Sequence, residues 1–399
     1  MVLDSAVVRR AVRLPDPLRV ARCSRAPELG PRMLFFSGGS ALRALSRRLK
    51  HYTHNTVHLI TPYDSGGSSA QLREAFDMPS VGDLRNRLMA LADETVRGSP
   101  EIYQLFSHRL PKGDTAEDLK AQLFAMVEGQ HPLVAEVPEP MRRIIRTHLR
   151  DFTLGMPADF DLRGASIGNL ILAGGYLTNE RDLESVIFTF SRLVEARGQV
   201  RLISPESLQL RATLQGGTQI IGQHLLTGKE VPPLTEPITT LDLVRSFADP
   251  TPTPAEISPR NRKLIHRTDL LCYPMGSFFS SIAANLLPRG VGETIVQTCC
   301  PKVYIPNTGC DPEQLGYDTA DCVEWLLKLV RNDVGEHVAA TDIVDVVLVD
   351  TTAAQYAKPI ATERLQALGI QVIDTDLASP ERADKLDPTK LAETLVALA

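Results

Sequence analysis

The chain has 399 residues, enough to bury a full core as one large α/β domain or two smaller ones. Its 43% hydrophobic and 23% charged content is ordinary for a soluble globular protein, and a net charge of −5 speaks against general affinity for nucleic acid, which calls for a basic surface. No apolar run approaches the ~18–20 residues of a membrane-spanning helix and no secretory signal is visible, so a cytoplasmic protein that does not enter the membrane is expected.

The first fifty residues carry eleven Lys or Arg against three Asp or Glu. Proline and acidic residues interrupt them, so residues 1–30 are expected to form a solvated N-terminal arm. Residues 32–36 then predict a short buried strand, and 41–49 an amphipathic helix leading away from it. A second strand is predicted at 57–60, broken by Pro62 and a glycine pair, with a helix over 84–95. From 99 to 151 the pattern is helical throughout and reads as an all-helical insertion, a lid or a dimer-forming surface. The helix over 182–196 places Leu183, Val186, Ile187, Phe190, Leu193 and Val194 on one face, with Gly198 as a stop signal.

Strands follow at 200–203 and 208–214, the second leading into a hairpin turn at Gly216-Gly217. Seven prolines between 231 and 259 argue against regular structure for most of that stretch, which reads as a linker or surface loop and as the seam between two halves. Beyond it come a strand at 269–273, a helix from 278, a strand at 302–306 and a helix over 318–331. The end is a strand–helix–strand unit at 343–349, 359–368 and 370–373, with proline in the first turn of the helix and Gly369 at its close. Mostly apolar strands separated by helices predict an α/β fold with a mostly parallel sheet and helices on both faces.

Four short runs of small residues stand where helices could begin: Ser37-Gly38-Gly39-Ser40, Asp64-Ser65-Gly66-Gly67-Ser68-Ser69, Ser166-Ile167-Gly168-Asn169 and Met275-Gly276-Ser277. A helix N-terminus leaves backbone N–H groups unpaired and carries partial positive charge, so it receives phosphate readily. Glycine lets the backbone come close to an anion, and serine adds hydroxyl donors. Singly, each run reads as an ordinary strand–helix connection. In an open parallel sheet such connections gather at the carboxyl ends of the strands, so together they point to one cleft and a phosphate-bearing ligand, a nucleotide above all. The first run is neither a G-x-G-x-x-G fingerprint nor a P-loop.

Asp64 follows a strand closely and precedes Gly66-Gly67, which aims it into that cleft as a candidate magnesium ligand, or leaves it to cap the turn that follows. Arg85 and Asn86, in Gly82-Asp83-Leu84-Arg85-Asn86, are placed to reach a phosphate or a base edge; the alternative for Arg85 is a solvated helix position and for Asp83 an N-cap. His51, His54 and His58 lack the accompanying ligands of a zinc site and read as surface histidines. No G-x-S-x-G elbow surrounds Ser166. The six cysteines show no C-x-x-C spacing and read as reduced thiols.

The order of these motifs resembles the CofD-like family, which contains 2-phospho-L-lactate transferases and YvcK-type gluconeogenesis factors. The likeness runs from about Met33 through the Asp64 and Gly82 motifs, Ser166-Ile167-Gly168-Asn169-Leu170 and Gly276-Ser277. It ends with Lys302-Val303-Tyr304-Ile305-Pro306-Asn307 and Tyr317-Asp318-Thr319-Ala320-Asp321. It implies a Rossmann-like fold over 31–399, a homodimer and a nucleotide-containing ligand, with Asn307 added to the site. The transferase branch implies phospholactate transfer from a guanosine diphosphate-type donor with magnesium. The YvcK-type branch implies a regulatory protein that binds nucleotide sugars. Where the family usually has paired aspartates this chain has Asp64-Ser65, and Phe279 replaces a usual tyrosine. The resulting expectation is a transferase with a nucleotide-linked phosphate donor, Asp64 holding the metal; the rival is a non-catalytic nucleotide-sugar sensor.

Overall fold

Short apolar runs with little alternation become the strands of a sheet covered on both faces. In chain order they are Met33–Ser37 (β1), Thr56–Ile60 (β2), Gln199–Leu202 (β3), Gln209–Leu214 (β4), Gln219–Ile221 (β5), Ile238–Val244 (β6), Leu270–Tyr273 (β7), Lys302–Tyr304 (β8), Val346–Val349 (β9) and Gln371–Asp374 (β10). The computed structural model describes residues 11–94, 98–228 and 230–399. Seven strands form one parallel sheet in the order β10-β9-β8-β7-β1-β2-β3, and β5-β4-β6 form a small antiparallel sheet.

Strand β1 shows why its run is unbroken. Met33 and Phe35 pack on one face with Leu45, Leu49 and the helix Pro388–Leu398. Leu34 and Phe36 pack on the other with Tyr273, Phe278 and the helix Thr319–Val334. All four are fully buried, and burying each such side chain contributes roughly 1.5–3 kcal/mol. Phe35 stands in register with His58 of β2 and Cys272 of β7, so the strand is also central.

The strand order reverses between β1 and β7. From β1 the chain steps outward through β2 to β3, and from β7 through β8 and β9 to β10. Connections from β1 and β7 therefore leave toward opposite faces, which opens a crevice at their carboxyl ends.

The sequence predicts this α/β architecture, and the structure has it. Several local readings change. Among the described residues, everything between β2 and β3 is helix or loop, from Gly67–Phe76 to Leu183–Leu193, so the helical block is wider than 99–151. Helix Met141–Gly155 lies so close to helix Ile167–Thr178 that a Cβ on Gly174 would stand 1.8 Å from the His148 carbonyl oxygen; only glycine fits there. The proline-rich 231–259 stretch contains β6, which pairs with β4 over most of its length, because none of its prolines falls inside the strand itself. The helix expected from residue 278 is there but not as regular α-helix: a π-helical turn over Phe278–Ile282 runs into a 3₁₀ turn over Ala283–Leu286.

Residues 17–25 of the expected solvated arm form a helix capped by Asp16, with Val20 and Cys23 packed on the cluster around Leu391; residues 1–10 lie outside the described residues. Of the three histidines read as surface groups, His58 is fully buried and stacks on Phe35 with ring centroids 5.1 Å apart. All six cysteines are free thiols. Among the described residues no helix is long and apolar enough to cross a membrane.

Candidate functional site

A cleft of ≈ 440 Å³ opens where the strand order reverses, and all four small-residue runs contribute to its wall. Ser37, Gly38, Gly39 and Ser40 line it after β1; Asp64, Gly66, Gly67, Ser68 and Ser69 after β2; Gly276 and Ser277 after β7. Asn169 joins from the start of the helix Ile167–Thr178, and Gly82, Asp83, Arg85 and Asn86 from the helix Gly82–Leu91.

The first turn is held from behind. Arg87, fully buried, donates from Nη2 to the carbonyl oxygens of Gly38 at 3.0 Å and Gly39 at 3.1 Å, and from Nη1 to Ser46 Oγ at 2.7 Å. In a trans peptide the N–H points opposite to the preceding carbonyl, so fixing these two carbonyls turns the N–H groups of Gly39 and Ser40 to the cleft side. Gly38 has no alternative here, since a Cβ would come within 2.1 Å of Ser281 Oγ. Burial pulls the Arg87 guanidinium down to about 10, opposed by the charge of Asp83, which keeps it ionised at neutral pH.

The second turn is arranged similarly. Arg73 donates to the carbonyl oxygens of Tyr63 and Asp64, both at 3.2 Å, and ties them to Gln209 of β4. Asp64 Oδ1 accepts from the Gly66 N–H at 3.1 Å, so the carboxylate caps its own turn. Its Oδ2 lies over Gly82, 3.1 Å from where a Cβ would be. Gly66 and Gly67 then open the helix Gly67–Phe76, whose N-terminus has no side-chain cap. Gly67, at φ +47°, adopts a left-handed conformation that favours glycine.

The fourth turn differs. Asn307 brackets Gly276, accepting from its N–H at 2.8 Å and donating to its carbonyl at 2.6 Å. The N–H groups that follow are already occupied: Phe278 donates to Asp311 at 2.9 Å and Ser280 to Glu313 at 2.8 Å. Burial together with the neighbouring Asp311 pushes the Glu313 carboxyl up to about 7.

A family model described as 2-phospho-L-lactate transferase CofD matches residues 33–378. The chain belongs to the CofD family. It is similar to proteins named gluconeogenesis factor. The one from Bacillus subtilis (strain 168) is 28% identical over 383 residues, spanning 92% of this chain and 98% of the relative. The one from Halalkalibacterium halodurans is 28% identical over 383 residues, spanning 91% and 95%. In fold it is similar to the crystal structure of a UPF0052 family member from Bacillus halodurans, with TM-score 0.67 and 24% identity over 92% of this chain and 99% of that one.

Within this CofD family member, not every residue singled out by sequence reaches the cleft. Ser166 is buried and accepts from Arg85 Nη1 at 2.7 Å, and Gly168 gives Arg85 room, since a Cβ would stand 2.8 Å from its Cδ. Arg85 itself lines the cleft, but its guanidinium is engaged by Ser166, the Phe106 carbonyl at 3.1 Å and Asn86 Oδ1 at 2.7 Å. It braces three elements instead of extending into the cleft or into solvent. Asn307 is absent from the cleft wall and acts on Gly276. Ser65 points away and meets His224 Nδ1 at 2.8 Å.

Sequence reading missed Arg87, Arg109, His224 and Glu230. Arg109, Thr227 and Glu230 line the cleft from loops, and Gln223 and His224 from the short 3₁₀ turn Gln223–Leu225, none with motif character. Asp83 lines it from the first turn of its helix, where Val81 and not Asp83 is the N-cap. Their one sequence signal is polarity in loops, which is too common to select them. Asp64, Asp83 and Glu230 supply hard oxygen donors, while among the described residues no group of three or more His, Cys, Asp or Glu is placed to hold a metal by itself. That donor set fits magnesium, which binds through one or two carboxylates and completes its shell with water and ligand phosphates.

Proposed function

We propose that the cleft binds a nucleotide sugar through its diphosphate, and that the protein works as a regulator that responds to that ligand; its similarity to proteins named gluconeogenesis factor supports a regulatory reading. The observation that carries this reading is the pair of turns after β1 and β2, whose carbonyls are drawn back by Arg87 and Arg73 at the point where the sheet order reverses. Backbone N–H groups presented this way receive a diphosphate without a dedicated lysine. Asp64 would hold a magnesium ion that offsets the like charge of carboxylate and phosphate, with Asp83 beside it. Homodimerisation and a cytoplasmic location belong to the same proposal, and light scattering of the purified chain checks the first.

A second reading is favoured by one specific observation, the Asp64 carboxylate in the wall of the cleft. On that reading the chain is a transferase that moves a phosphorus-containing group from a nucleotide-linked donor; the matching family model is described as 2-phospho-L-lactate transferase CofD. Bound magnesium would supply charge stabilisation to the transferring group, while the two turns hold the donor in place.

A thermal-shift screen against uridine and guanosine diphosphates and their sugar conjugates, with and without magnesium, tests both. A ligand at about 100 times its Kd adds about 2.7 kcal/mol of stability, a readily measured rise in Tm. Stabilisation by a nucleotide sugar without release of nucleoside monophosphate or diphosphate supports the regulator. Turnover that Asp64→Asn abolishes while binding persists supports the transferase. No shift with any of these ligands contradicts both.

A further inference from the structure

One wall of the cleft comes from outside the parallel sheet, from the segment that follows β5, and His224 stands on it. His224 packs against the second turn, since a Cβ on Gly66 would stand 3.2 Å from the His224 Cβ. Its ring also meets Phe247 edge to face, with centroids 6.4 Å apart. Ser65 Oγ lies 2.8 Å from Nδ1, and the backbone N–H of His224 donates to the same oxygen at 3.4 Å.

This geometry fixes the direction of the hydrogen bond. Ser65 is 4% exposed, and its hydroxyl makes no other hydrogen bond among the described residues. The backbone N–H can only donate. If Nδ1 also donated, the hydroxyl proton would be buried with no acceptor, which is costly. The hydroxyl therefore accepts from the backbone and donates to Nδ1, and a neutral imidazole whose Nδ1 accepts carries its proton on Nε2.

We infer that Ser65 orients His224 as an Nε2–H donor, and that His224 contacts a diphosphate oxygen of the bound ligand. The inference rests on the nucleotide reading above and deepens it. His224 adds to the cleft a side-chain donor from the 3₁₀ turn that follows β5, where the turns after β1 and β2 supply backbone donors. Ser65 is then a positioning residue that acts through His224. The Asp64-Ser65 sequence thereby gains a division of labour, the carboxylate for a cation and the hydroxyl for the imidazole.

The test uses the full chain, with uridine and guanosine diphosphates plus magnesium as probes in calorimetric titrations, and long-range ¹H–¹⁵N spectra of ¹⁵N-histidine-labelled free protein. The expected spectrum gives His224 as the Nε2–H tautomer, shifting to a mixture in Ser65→Ala. His224→Ala is expected to weaken binding of whichever diphosphate the wild type binds by about tenfold, the loss of one hydrogen bond to a charged acceptor. His224→Gln, whose amide stands in for Nε2–H, is expected to restore affinity to within about threefold. Wild-type affinity in His224→Ala, with folding verified by its melting curve, overturns the contact while leaving the nucleotide reading in place. An Nδ1–H tautomer in the free wild type overturns the role of Ser65 whatever the ligand. A wild type that binds neither diphosphate removes the nucleotide reading and the contact with it, while the spectrum still decides the Ser65 arrangement.

Discussion

The turns after β1 and after β7 are alike in sequence, each an apolar strand followed by glycine and serine, yet they present opposite faces. Behind the first, Arg87 takes the carbonyls of Gly38 and Gly39 and leaves the N–H side toward the cleft. Behind the other, Asp311 and Glu313 take the N–H groups of Phe278 and Ser280. A buried cation behind a turn frees it for an anion; a buried carboxylate satisfies it from within. The chemistry of such a turn is thus decided by a residue remote in sequence, here 48 or 49 positions away for Arg87 and 33 for the two acids.

The largest effect expected is at Arg87. Arg87→Met strips a buried partner from two carbonyls and the Ser46 hydroxyl, so urea denaturation should show a loss of about 3 kcal/mol, and nucleotide affinity should fall by more than about tenfold. Retained affinity in a folded Arg87→Met would break the comparison at its first half. Gly38→Ala places a Cβ against Ser281 and is expected to cost about 2 kcal/mol, with loss of ligand binding, read by the same two measurements.

Asp64→Asn should leave stability within about 0.5 kcal/mol while lowering magnesium-dependent nucleotide affinity about tenfold, as calorimetry with and without the ion would report. The smallest effect concerns the fourth turn. Glu313 is raised to about 7 in the folded chain against roughly 4.3 unfolded, so the native state holds the proton more tightly. Its contribution to stability is complete below the unfolded value and is lost as pH rises through about 7. Glu313→Gln, which keeps the neutral form, should flatten the fall in stability between pH 5 and 7, and binding should be unaffected.

The strands were legible because burial on both faces leaves an unbroken apolar run, as in Met33–Ser37 and Val346–Val349. The convergence of the small-residue turns was legible for the same reason, since parallel strands fix where their exits meet. Strand β6 was hidden by its proline-rich surroundings, although Ile238–Val244 itself contains none. Arg87 was invisible because a basic residue on a helix reads as solvated, and only the packed structure shows it sealed behind Gly38 and Gly39. His224 follows a hairpin and carries no motif, so nothing linked it to Ser65, 159 positions earlier.

On the proposed function a diphosphate sits on the backbone N–H groups of the first two turns. Amide chemical-shift mapping of the full chain, titrated with a nucleoside diphosphate and magnesium, tests it most directly. The largest shifts are expected at Gly39, Ser40, Gly67 and Ser68, whereas Gly66, already bonded to Asp64, and Phe278 and Ser280 should change little. Shifts concentrated at Phe278 and Ser280, or none at the first two turns on saturation, would contradict it.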